Sequence, residues 1–337
     1  ASEAYGHAIL TLSLVQNRKT AWAEPGYETG FEQFEIPTAK MPVSVHRAGV
    51  LRATESGETI CLEAGSMAYV FDLQHGCISQ IRCGGRELLT APIGFSLWHA
   101  PTYNGTSADL WRKLFLDRAA QKTYAAKVVE RSDGAVDIVV DLALGAPSSL
   151  PAMTGEMRYT FCADGSVELR FDGTLKEIIP RLPLLGLEVH LIRELDQAHY
   201  YGHGPIEAYS DRHHSTKVGL YETTADENPT PYIRPQENGS HYGTLWAEVE
   251  NAEGQGIFFA PLPGSELCFN ISRFTSKQLY ETMHNFELVP RDETIVRLDY
   301  RITGISENGA ITQREPERDA LAARNQRFGF RILPYLN

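Results

Sequence analysis

The sequence predicts an all-β protein of the sandwich or barrel class, and three observations carry that reading. Apolar and polar residues alternate with period two over many short runs, as in half-buried antiparallel strands. Gly, Asp and Asn punctuate those runs. Only two short stretches carry a helical pattern, Ser107 to Arg118 and Glu315 to Arg324.

In chain order, the first alternating run is Ala8 to Val15. Trp22-Ala23-Glu24-Pro25-Gly26-Tyr27-Glu28, followed by Phe31-Glu32-Gln33-Phe34, joins it to a second expected strand. Two prolines then interrupt the pattern in Pro37-Thr38-Ala39-Lys40-Met41-Pro42, which marks a domain boundary. Residues 1–42 hold too few strands to fold alone, so they read as the tail of an incomplete domain and favour a truncated polypeptide over a natural small subunit. Residues 43–337 are expected to form one large two-sheet unit. Its clearest element lies between Met157 and Phe171: Arg158-Tyr159-Thr160-Phe161 and Val167-Glu168-Leu169-Arg170-Phe171 flank Ala163-Asp164-Gly165-Ser166. Asp-Gly between alternating runs is a strong hairpin signal, and it puts Val167, Leu169 and Phe171 on one face. Further strands are expected at Ala135 to Leu144, Gly186 to Ile192, Leu245 to Val249, Ile295 to Ile302 and Phe328 to Ile332.

Composition narrows the function. A net charge of −12 lacks the concentrated Lys and Arg that nucleic acid or an anionic membrane surface requires. No apolar run approaches the roughly 18 residues of a membrane span, and the start, Ala1-Ser2-Glu3-Ala4-Tyr5, shows no signal-peptide pattern. Five cysteines, Cys61, Cys77, Cys83, Cys162 and Cys268, contain no CxxC pair. They fit reduced, mostly buried thiols in a cytoplasmic protein better than a zinc or redox site.

Three segments carry candidate chemistry. In Trp98-His99-Ala100-Pro101-Thr102-Tyr103-Asn104-Gly105, rings could stack on a sugar face and the amide could bond hydroxyls, or the loop could simply turn. In Gly202-His203-Gly204-Pro205-Ile206-Glu207-Ala208-Tyr209-Ser210-Asp211-Arg212, two glycines and a proline suggest a tight loop, and Asp211-Arg212 a charge-assisted clamp. The third is Arg234-Pro235-Gln236-Glu237-Asn238-Gly239, polar and turn-forming before the strand at Leu245. Glu237 alone does not argue for catalysis, because glycoside hydrolysis needs a pair of carboxylates.

In this order, these segments resemble the C-terminal third of the large bacterial β-galactosidases of glycoside hydrolase family 2. The most specific matches are the G-x-G-P-x-E-x-Y-x-D-R loop at Gly202, Gly204, Pro205, Glu207, Tyr209, Asp211 and Arg212, and R-P-Q-E-N-G at Arg234 to Gly239. The resemblance implies that residues 1–42 are the last strands of an immunoglobulin-like domain. It makes residues 43–337 the small-chain supersandwich, a galactose mutarotase-like fold. It places the two catalytic glutamates, and most of the family's magnesium and sodium, on a separate barrel, and leaves no catalytic or metal residue in this chain. His99 and Asn104 are then the candidates for approaching substrate, and the named residues of the other two loops are structural.

The implied partners are that catalytic barrel or large subunit, a β-galactoside such as lactose, and further copies of the parent enzyme. Departures from the family pattern concern substrate. His99, Tyr103 and Gly105 replace an Arg and two Asp, His203 replaces another Arg, and Ile311 stands where a substrate-stacking Trp is usual. Two other readings remain open at this stage. A mutarotase-like epimerase would need a general base and acid, for which His99, His190, His199 and His203 are available. A carbohydrate-binding module would need only a sugar platform.

Overall fold

The computed structural model describes residues 7–37, 49–102, 108–305 and 321–336. It divides into two compact units, Ala1–His46 and Arg47–Asn337. Residues 38–42, where the sequence marks a boundary, lie outside the described residues.

In the first unit, β1 (Ala8–Val15) pairs antiparallel with β2 (Glu28–Ile36), from Ala8 opposite Ile36 to Val15 opposite Glu28. The segment joining them packs Trp22 edge-on against Tyr27, with ring centres 5.4 Å apart.

The second unit begins with a five-stranded meander: β3 (Leu51–Ser56), β4 (Thr59–Ala64), β5 (Met67–Asp72), β6 (Cys77–Cys83) and β7 (Arg86–Glu87). Next come β8 (Gly94–Ser96), helix α1 (Ala108–Lys113) and a 3₁₀ turn at Leu116–Arg118. The one helix expected from Ser107 to Arg118 is thus broken, because Phe115 takes a left-handed conformation, φ 58°, that ends α1. Strands β9 (Ala120–Glu130), β10 (Val136–Gly145), β11 (Met153–Phe161), β12 (Val167–Leu175), β13 (Leu184–Ile192), β14 (Gln197–Gly204) and β15 (Lys217–Thr224) follow. After them come β16 (Trp246–Glu250), β17 (Gln255–Pro261), β18 (Cys268–Ser272), helix α2 (Ser276–Glu281), β19 (Glu293–Ile302) and β20 (Asn325–Leu336).

Most of the helix expected over Glu315–Arg324 lies outside the described residues. Its described end, Leu321–Arg324, is not helical: the Leu321 amide bonds the Thr303 hydroxyl, and Arg324 bonds the Lys176 and Ile179 carbonyls. Helix α2, unforeseen, starts at a capping box in which Thr275 and Gln278 satisfy each other's backbone amides.

Nine strands, in the order β15-β14-β16-β17-β20-β12-β11-β10-β9, form one antiparallel layer. The opposing layer is the four-stranded sheet β18-β19-β13-β8 together with the meander. The unit is therefore two-layered, with its second layer made of two sheets. An isolated bridge between Leu89 and Leu191, and the bonds Thr90 N–H to His190 O (2.9 Å) and Ile93 N–H to Ile78 O (3.0 Å), join those two. Aromatic pairs fill the space between layers: Phe71 with Tyr159 (4.8 Å), Phe95 with Phe171 (5.1 Å) and Tyr300 with Phe328 (5.4 Å).

The β11–β12 hairpin has the expected faces, with Val167, Leu169 and Phe171 buried and Arg170 exposed. Its turn needs glycine, since Gly165 sits at φ 82°. From the opposing layer, the buried Tyr69 hydroxyl donates to the Gly165 carbonyl at 2.6 Å, so the hairpin tip is pinned by tertiary structure.

Candidate functional site

The three motif segments meet in one place, beside the end of β14 and the middle of β19. Gly202 and Gly204 are not loop residues, as expected, but the last residues of β14. Both are required by close packing. A Cβ on Gly202 would lie 2.8 Å from Thr244 Cα, and one on Gly204 would lie 2.5 Å from the Tyr200 hydroxyl. The turn itself starts at Pro205, which follows a cis peptide bond.

Glu207 is its hub. The carboxylate accepts the Gly239 amide (2.8 Å) and the Thr230 hydroxyl (3.3 Å), bonds the Tyr232 hydroxyl, and pairs with Arg212. The charge-assisted bonds expected of Asp211-Arg212 go to two partners: Arg212 pairs with Glu207, while Asp211 accepts the Ile305 amide at 3.2 Å.

Glu237 links all three segments. Its amide donates to the Ala100 carbonyl (3.0 Å), and its carboxylate accepts the buried Tyr209 hydroxyl (3.3 Å). Both its oxygens accept from Arg297 of β19. Asn238 beside it accepts the Thr230 amide and donates to the Gln236 carbonyl. Gly239 takes φ 70°, and its carbonyl accepts from Asn228. Arg234 is exposed.

Arg297 also stands 3.2 Å from Asp299, outside hydrogen-bond geometry. Burial pushes the Asp299 carboxyl up to about 8, against the pull of Arg297, with Glu237 adding to the rise. Arg297, Glu237 and Asp299 thus form one buried charge cluster whose members compensate one another. Two neighbouring carboxyls invite comparison with an acid–base pair. These, however, are 1% and 0% exposed, so a saccharide does not reach them and they hold strands together.

His99 belongs to the same interior. It is 2% exposed, its ring stands edge-on to Trp111 at 5.3 Å, and Nδ1 lies 3.1 Å from the Ala100 carbonyl. Burial lowers its pKa against the pull of Glu237, so the ring is neutral. Asn104 and Ile311 lie outside the described residues. Their described neighbours are close together: the Thr102 hydroxyl is 3.4 Å from the Ile305 carbonyl, and Asp211 holds the Ile305 amide.

The histidines weighed for epimerase chemistry are dispersed. His190 lies on β13, and His199 and His203 lie on β14, in a different sheet. Among the described residues no group of three His, Cys, Asp or Glu side chains is arranged to hold a metal ion.

The family model for the β-galactosidase small chain matches residues 63–332. The chain belongs to that family. Among curated relatives of this small-chain protein, the β-galactosidase of Actinobacillus pleuropneumoniae is 31% identical over 308 residues, 90% of this chain but 30% of that protein. The β-galactosidase of Priestia megaterium is 28% identical over 304 residues, 88% of this chain and 28% of that protein. The small chain therefore spans about 30% of the length of these relatives. Among solved structures, a putative aldose 1-epimerase of Escherichia coli K12 aligns with 85% of this chain and 100% of its own, at TM-score 0.43 and 12% identity.

Sequence reading missed Arg297 and Asp299. A signal was present: Arg297 and Asp299, set two apart among Val296, Leu298 and Tyr300, share one face of β19, and both faces of that strand are buried from Glu293 to Tyr300. Arg273 was missed as well. It is 1% exposed and pairs with Asp196 and Asp226.

Proposed function

We propose that this chain is the C-terminal, non-catalytic portion of a β-galactosidase that hydrolyses terminal β-galactosides such as lactose. In this reading it completes one wall of the active site, and the reaction is carried by two glutamates elsewhere in the parent enzyme. The observation that carries it is the family match over residues 63–332, together with relatives named β-galactosidase of whose length the chain spans about 30%.

The parent's chemistry is that of a retaining glycoside hydrolase of family 2, with a nucleophile and an acid–base glutamate about 5 Å apart. In this reading nothing in the chain's motif cluster serves that step: Glu237 and Asp299 are buried beside Arg297, Glu207 is bonded to Arg212, Tyr232 and the Gly239 amide, and Asp211 holds the Ile305 amide. The small chain's part is positional: Glu237 ties together the Ala100 backbone, Tyr209 and Arg297 of β19. Magnesium and sodium belong to the barrel in the same reading, the parent is a homo-oligomer, and its compartment is the cytoplasm. With Ile311 in place of the family Trp, sugar stacking from this wall is weakened, which leaves the choice of glycoside to the rest of the site.

The test is turnover of a chromogenic β-galactoside. The purified chain is expected to give none above buffer, and the full-length polypeptide to give robust hydrolysis. Turnover by the isolated chain would overturn its non-catalytic role. Polarimetry of fresh α-galactose, expected to show no acceleration, checks the epimerase alternative.

A further inference from the structure

Four of the large apolar side chains most open to water crowd one region. Ile233, Met283, Phe286 and Val289 are 79%, 56%, 81% and 72% exposed. Ile233 and the 283–289 segment are tied together, since the Asn285 amide donates to the Ile233 carbonyl at 2.9 Å. Beside them opens a cavity of about 370 Å³, walled by Pro229, Pro231, Tyr232, Phe274, Leu279 and Leu288. Exposed apolar side chains grouped beside an apolar-walled cavity mark an interaction surface.

The chemistry of the cavity selects the occupant. Its polar groups are already engaged: Asn238 with the Thr230 amide and Gln236 carbonyl, Asn285 with the Pro231 carbonyl, Tyr232 with Glu207, and Asp226 with Arg273. A sugar, which needs many free hydrogen-bond partners, finds few. An apolar side chain finds aromatic, proline and leucine walls.

We propose that this cavity and its rim seat an apolar anchor from the part of the family's polypeptide that this chain does not span. About 70% of the relatives' length lies outside the match, and a surface made of a hydrophobic centre with satisfied polar groups suits a permanent intramolecular interface. The inference rests on the reading of this chain as one portion of a longer enzyme. It adds which surface does the joining.

Hydrogen exchange, followed in the isolated chain and in the full-length polypeptide, tests it. Peptides spanning residues 229–235 and 283–289 are expected to exchange at least about tenfold more slowly in the full-length protein. Ile233→Ser with Phe286→Ser should restore fast exchange there while leaving the melting of the isolated chain unchanged, since both side chains are solvent-exposed. Equal exchange in the two forms overturns the proposal. So does protection that appears in the isolated chain as its concentration rises, which would make the occupant a second copy, or on addition of galactose, which would make it a sugar site. Full-length protein without β-galactosidase activity removes the functional reading and leaves the exchange comparison to decide the docking.

Discussion

Arg297 and Glu237 are joined by two hydrogen bonds at a point where only 6% and 1% of their side-chain surfaces remain exposed. Two motifs distant in sequence, R-P-Q-E-N-G and the strand β19, are thereby locked together. A buried pair of this kind loses most when one partner alone is removed.

Glu237→Gln should therefore destabilise the domain by about 3–5 kcal/mol, read as a lowered urea midpoint at unchanged slope. The loss should fall toward the lower end, because Asp299 can surrender its proton and supply the missing charge to Arg297. Pairing it with Arg297→Met should cost clearly less than the two single changes added together. A single-mutant cost under about 1 kcal/mol would mean that the pair contributes little.

His190 gives a pH signature. Its Nε2 lies 2.8 Å from Glu188 and its Nδ1 3.1 Å from Glu293. Burial opposes the charged ring, but the two carboxylates prevail and hold its pKa above 6.5. A raised folded-state value means that the stabilisation is fully present below pH 6.5 and fades as pH rises through the higher value. Glu293 behaves in the opposite sense. Its own burial opposes the carboxylate, yet bonds from Thr90, Arg291 and His190 lower its pKa, so its contribution fades as pH falls below 4.5. The urea midpoint should decline as pH rises above about 6.5, and His190→Gln should lessen that decline. An identical decline in the variant would assign it to other groups.

Two glycines separate close packing from mere flexibility. Gly202→Ala drives a Cβ against the Thr244 backbone, which cannot swing aside, and should lower stability by about 1–3 kcal/mol. Gly94→Ala, with nothing within 4 Å of the added carbon, should change it by less than about 0.5 kcal/mol. Thermal melts of the two variants should differ plainly.

All five cysteines are free, and four of them are buried. Burial also pushes the Cys77 thiol up to about 11, which starves it of thiolate. Without denaturant a thiol reagent should modify Cys61 alone, and the remaining four only on unfolding. Fast labelling of a second thiol in the native protein would contradict the packing around that site.

Several strands were legible where apolar and polar residues alternate clearly. Ala8–Val15 carries the same bounds in sequence and structure, and the Asp164-Gly165 turn sits at the expected place. Strand β9 was not legible: it closes one edge of the nine-stranded sheet with few buried side chains, so alternation hardly marks it. At the site, the motif loops pointed to the right region. Their bonding did not follow from adjacency, as Asp211 and Arg212 demonstrate. The partners that give Glu237 its role come from β19, where tertiary pairing of an Arg with two carboxyls overrides the ordinary exclusion of charge from a core strand.

The junction at Thr102, Asp211 and Ile305 has an evolutionary consequence. It is made from one hydroxyl, one carboxylate and the main chain of Ile305. Because both bonds reach the backbone of residue 305, the tie asks nothing polar of the side chain there. Substitution at that position can follow the apolar packing around it while the bonding stays in place, so this part of the scaffold can pass between relatives by backbone geometry.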